Sequence, residues 1–204
     1  MAFITRCWKS ALLALWLLLP GCAAAWADAA AAGVELKDLR VERAEGSLLL
    51  SAQLRLDLPD AVIETLEKGI PVHFVVAADV VRQRWYWFDQ TTVSARRYMR
   101  VVYLPLTRRW RVNMASNPVL DSGLGVSYAQ NFDTLDEALA AISRIARWRI
   151  SALSDIDEAR QTLHFSFMLD TQRLPRALQL GVAGRPEWNV GLERNVDLAF
   201  GDGQ

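Results

Sequence analysis

The chain has 204 residues, 52% of them hydrophobic and 23% charged, with 23 basic and 23 acidic side chains balancing to a formal net charge of +0. That length and composition suit one globular domain of ordinary size and exclude a polyanion-binding chain. Both cysteines, Cys7 and Cys22, lie near the N-terminus, so no disulfide, cysteine nucleophile or cysteine-based metal site is expected downstream.

The N-terminal segment reads as a secretory signal. Arg6 and Lys9 precede an uncharged apolar run, Ala11 to Leu19, which Pro20-Gly21 interrupts. Ala25-Trp26-Ala27 then supplies small residues at the two positions a signal peptidase reads, placing cleavage after Ala27. The run is about half of the roughly 20 apolar residues that span a bilayer. Leu19-Pro20-Gly21-Cys22 loosely matches a lipoprotein signal, so an acylated Cys22 holding the chain on a membrane is the alternative. The expected organisation is a signal over 1–27, a flexible lead over 28–33 and one β-rich domain over 34–200.

Beyond the lead, "VELKDLRVER" and "SLLLSAQLRLDL" read as two strands joined at Ala44-Glu45-Gly46. In the second, Leu48, Leu50, Ala52, Leu54 and Leu56 alternate with polar residues, the pattern of a half-buried strand. "PDAVIETLEKG" changes period. Val62, Ile63 and Leu66 share a helical stripe, Asp60 is the expected N-cap, and Gly69 takes the left-handed C-terminal position.

Strands return with "IPVHFVVAADVV", then "RWYWFDQTTV", then "RRYMRVVYLPL", a turn at Leu106-Thr107, and "RRWRVNM". Short connections predict an antiparallel meander. "ASNPVLDSGLG" follows as a loop. Thr134 and Glu137 form a capping box for a helix whose stripe is Leu135, Leu139, Ile142 and Ala146. "QTLHFSFMLD" points Leu163, Phe165, Phe167 and Leu169 inward, "LPRALQ" makes one helical turn, and "EWNVGLERNVDLAF" is the last strand. Two packed antiparallel sheets with two short helices are the expected mainly-β fold, a sandwich; an α+β open sheet with helices across one face is the alternative.

Chemistry concentrates in the meander. From Arg82 to Arg111 there are eight arginines and one acid, Asp89. As a strand, "RWYWFDQ" would put Trp85, Trp87 and Asp89 on one face and Arg84, Tyr86 and Phe88 on the other. Next come Arg96, Arg97, Arg100, Arg109 and Arg111, interleaved with Tyr98, Tyr103 and Trp110. Aromatic and basic residues in this pattern can stack rings and neutralise anions. In an exported protein the partner would be a headgroup, a glycan or an acidic protein face, with no nucleic acid. The competing reading, and the favoured one, is a central buried strand whose arginine stems cover aromatic edges.

Catalytic patterns are missing. His73 and His164 are the only histidines, without metal-ligand spacing, so no metal is expected. "GLGVS" has the wrong spacing for a nucleophile elbow. "LDTQ" lacks the glycine of an aspartic-protease start, and Asp155, Asp157 and Glu158 sit in an expected hairpin turn. No enzyme and no cofactor are expected.

Arg84-Trp85-Tyr86-Trp87 with Asp89, followed by Tyr103-x-Pro105-Leu106-Thr107-Arg108-x-Trp110-Arg111-Val112, resembles an exported proteobacterial family known as domain of unknown function 4390. Gly69-Ile70-Pro71, Glu137-Ala138-Leu139, Trp148-Arg149-Ile150, Leu169-Asp170 and Leu174-Pro175-Arg176 fit the same pattern, from about Val34 to Phe200. The resemblance implies no activity, cofactor or catalytic residue. It implies a signal-bearing protein whose members are often encoded beside a membrane sensor kinase. Physically, Pro105 ends a strand because it has no N–H to give a ladder, and Trp110 packs back on Tyr103.

The expected role is therefore a non-enzymatic periplasmic module that binds an envelope protein, with a sensor-kinase ectodomain as leading partner, through Arg84, Arg96, Arg97, Arg100, Arg109 and Arg111. A small-ligand or glycan module stacking on Trp85, Trp87 or Trp110 is the alternative. Membrane contact is expected only through the signal or an acylated Cys22.

Overall fold

The computed structural model describes residues 33–82, 90–116, 127–155 and 161–198. The signal, Cys22 and the acidic residues Asp157 and Glu158 lie outside them, as does nearly all of the predicted loop "ASNPVLDSGLG". Two antiparallel sheets face each other as a sandwich, bridged by one cluster of buried side chains that runs from Val34 to Leu198.

The small sheet begins with a hairpin of β1 (Val34–Ala44) and β2 (Ser47–Leu56). Glu45 and Gly46 both have positive φ, 55° and 67°. That two-residue geometry matches the twist of the flanking strands. Leu48, Leu50, Ala52 and Leu54 are buried as the alternation predicts. Helix α1 (Asp60–Glu67) follows. Its N-cap is Pro59, without a side-chain cap, so Asp60 is the first helical residue and meets the positive end of the helix instead of capping it. Its C-terminus closes as expected at Gly69, φ 75°. The Gly69 N–H donates to Leu66 O and the Ile70 N–H to Thr65 O, the paired bonds that satisfy helix-end carbonyls.

The large sheet has the order β6-β5-β4-β3-β8-β9. Its centre is β3 (Val72–Arg82), whose inner face is Val72, Phe74, Val76, Ala78 and Val80 and whose outer face sets His73 and Asp79 among Val75, Ala77 and Val81. Against it lie β4 (Gln90–Leu104) and β8 (Gln161–Leu169). The two strands expected at "TTV" and "RRYM" are one continuous strand, β4. Ser94 and Ala95 pair with Asp79 and Ala78, leaving no turn there. Instead the register shifts by one residue beside Val80, where Thr92 Oγ1 donates to Val80 O at 3.0 Å. On β8, Leu163, Phe165, Phe167 and Leu169 are buried as predicted, and Phe167 stacks on Phe74 with centroids 5.6 Å apart. Each such ring contributes about 1.5–3 kcal/mol by leaving water.

Strands β5 (Arg109–Ala115) and β6 (Ser127–Phe132) extend the sheet one way, and β9 (Gly191–Leu198) ends it on the other. Helix α2 (Leu135–Ser143) carries the predicted capping box, with Thr134 Oγ1 accepting from the Glu137 N–H at 3.2 Å. It stops at Ser143, however, and Ala146 is an exposed residue of β7 (Arg144–Ala152). The reason is a bulge. Arg147 has φ 42°, so the inward residues are Ile145, Trp148 and Ile150, and the spacing of three mimics a helix. Strand β7 completes the small sheet, order β1-β2-β7. A third helix, α3 (Arg176–Val182), is longer than the single turn expected. No helix among the described residues is long and apolar enough to cross a membrane.

Candidate functional site

The arginines of β4 and β5 are sorted by strand alternation. Successive residues point to opposite faces. Arg96 and Arg100 pair in register with Ala77 and His73, on the outer face of the large sheet. Arg100 in turn opposes Asn113, while Val102 opposes Arg111 and Leu104 opposes Arg109. Arg96, Arg100, Arg109 and Arg111 therefore share one surface, with Arg100 and Arg111 diagonal neighbours.

Much of this charge has partners. Arg109 Nη2 lies 2.8 Å from Asp133 Oδ1, and Arg111 Nε donates to Asn131 Oδ1 at 3.0 Å. Arg96 Nη2 is 4.0 Å from Asp79 Oδ2. These are exposed contacts in high dielectric, worth at most about 1 kcal/mol each, so a competing acidic surface can replace them.

Arg97 does not belong with Arg96 and Arg100, although the three were expected to act together. It lies on the inner face opposite Val76, with its guanidinium carbon 4.9 Å from the ring centre of Trp148 on β7. Burial holds this guanidinium below its ordinary pKa. Among the described residues it meets the indole and no carboxylate. Trp110 also faces inward. It is 7% exposed and packs against Tyr103 at 4.9 Å, the predicted hairpin contact. That contact removes Trp110 from the surface on which a ligand could stack. Leu106, by contrast, is fully exposed at the hairpin tip.

Arg84, Trp85 and Trp87 lie outside the described residues, in the stretch that links Arg82 of β3 to Gln90 of β4. The two histidines stand on adjacent strands but far apart. His164 opposes Asp79, six residues along β3 from His73, or about 20 Å at the rise of a strand. No group of three or more His, Cys, Asp or Glu among the described residues could hold a metal ion.

One feature escaped the sequence. A cleft of about 370 Å³ is lined by Thr171, Val182, Arg185, Pro186, Trp188 and Asn189, among others. Trp188 forms a buried wall, and Arg185 reaches Glu187 at 3.5 Å at the rim. The only local signal was Gly184-Arg185-Pro186, where Gly184 takes φ 78° to turn the chain out of α3. That pattern reads as a turn, not a site.

A family model described as "Domain of unknown function (DUF4390)" matches residues 31–196. No curated protein and no solved structure matches the chain.

Proposed function

We propose that this chain, which belongs to the family of domain of unknown function 4390, is an exported, non-enzymatic periplasmic module that binds an acidic face of another envelope protein. The observation that carries the reading is the register placing Arg96, Arg100, Arg109 and Arg111 on one outer surface of the large sheet. Such a surface steers and orients an acidic partner more than it adds affinity. A sensor-kinase ectodomain is the leading partner, on the gene association that the family resemblance implies. Export rests on the N-terminal segment, with cleavage after Ala27 and acylation of Cys22 as its two forms.

Crosslinked capture from whole cells, with the native N-terminus and a C-terminal tag, tests all of this at once. One envelope protein is expected to be enriched by the unaltered chain and lost with the triple variant Arg96→Ala/Arg100→Ala/Arg111→Ala. Equal capture by both would sink this face as the binding surface. The mass of the N-terminal peptide reads cleavage or acylation directly. The cleft beside Trp188 favours a second reading, a glycan or small-ligand module. No captured protein, together with tryptophan fluorescence that titrates with envelope glycans, would move the assignment there.

A further inference from the structure

Each sheet ends in strands whose outer N–H and C=O groups can template another chain, and natural proteins blunt such edges with charge, bulges or proline. Among the described residues the edges are β1 and β7 of the small sheet and β6 and β9 of the large one. Strand β1 carries Glu35, Lys37, Asp38, Arg40, Glu42 and Arg43, with a register shift between Leu36 and Asp38. Strand β7 carries Arg144, Arg147 and Arg149, and its register shifts twice against β2. Strand β9 carries Glu193, Arg194 and Asp197.

Strand β6 has none of these defences. Its sequence, Ser-Tyr-Ala-Gln-Asn-Phe, contains no charge, proline or glycine, and all six residues pair with β5 without a break. Ala129, Gln130 and Asn131 are exposed, and Tyr128 is 61% exposed. Among the described residues no strand pairs with this edge.

We propose that β6 pairs antiparallel with β6 of a second copy of the chain, about a two-fold axis through Gln130, joining two six-stranded sheets into one. Two observations select a second copy as the occupant. The first is charge: self-pairing at β7 would set arginine against arginine, whereas β6 meets its own copy without repulsion. The second is register. Directly opposed residues of an antiparallel pair share a face. An axis through Gln130 sets Tyr128 opposite the second copy's Phe132, twice by symmetry, on the face that also carries Trp110 and Met114. Ala129 falls opposite Asn131 on the other face. The contact is isologous and closes on itself, so it ends at a dimer. It uses the edge of the large sheet and not the arginines of its outer face, which it touches only through the Arg111–Asn131 hydrogen bond.

Sedimentation equilibrium of the purified full-length chain tests this through the residue on the axis. The unaltered chain is expected to dimerise. Gln130→Lys places like charges face to face, and at low salt it should weaken the dimer about fivefold or more. Gln130→Glu should do the same, and an equimolar mixture of the two variants should recover association. Because Gln130 is exposed, both variants should keep the parent melting temperature at concentrations where the parent is monomeric. A monomer at every concentration would overturn the proposal. So would a Gln130→Lys dimer as tight as the parent, or a mixture that fails to recover.

Discussion

Arg96 and Arg97 are adjacent in sequence and sit on opposite sides of β4. Arg96 is exposed, 4.0 Å from Asp79, and keeps its hydration. Arg97 lies under the edge of the small sheet, stacked on Trp148 and partly stripped of water. The difference comes from unequal sheets. Three strands cannot roof six, so the cover ends at β7, which lies over β4. An arginine placed there can bury its stem and planar head against an indole and still avoid full desolvation. Charge near the core is tolerated where the roof stops, whereas the largest fully buried side chains are the uncharged Phe74, Phe165 and Phe167.

Three substitutions would break or sharpen this contrast. Under the centre of the roof, Phe167→Ala removes a fully buried ring stacked on Phe74 and should cost about 3–5 kcal/mol, read by denaturant unfolding. At its margin, Arg97→Ala should cost about 1–2 kcal/mol through lost stacking and stem packing, with Trp148 emission shifting as its cover goes. A loss as large as that of Phe167→Ala would make Arg97 a core residue and erase the margin. Outside the roof, Arg96→Ala should stay within about 0.5 kcal/mol of the parent chain. If Arg96→Ala and Arg97→Ala proved equal, the two faces of β4 would not differ energetically.

The same alternation explains what the sequence disclosed. Along β8 every second residue is large and apolar, and no bulge interrupts the count, so Leu163 to Leu169 could be assigned to the core by eye. The Thr134–Glu137 box and the Tyr103–Trp110 pair depend on fixed local spacings and were equally legible. Arg96, Arg97 and Arg100 were grouped by proximity, although counting by two from Met99 and Val101 would have set Arg97 apart. Strand β7 was hidden for a physical reason: the positive φ at Arg147 gives its inward residues a helical spacing directly after a real helix. Strand β6 lacks the apolar alternation that marks a strand, since only Tyr128 and Phe132 on its inner face are large. The cleft at Trp188 depends on a turn and a helix end meeting in space, which no local pattern encodes.

The pairing of β2 with β7 sets an order of events during folding. The Arg147 N–H donates to Ser51 Oγ across 96 residues of chain, and the whole β3–β6 meander lies between them. The β1–β2 hairpin can form as soon as its two-residue turn closes, within about 1–10 μs. Its apolar stripe of Leu48, Leu50, Ala52 and Leu54 must then wait for most of the chain to arrive. Topologies dominated by such distant pairings fold slowly. Until β7 docks, the first element to take shape is also the one with the most to hide.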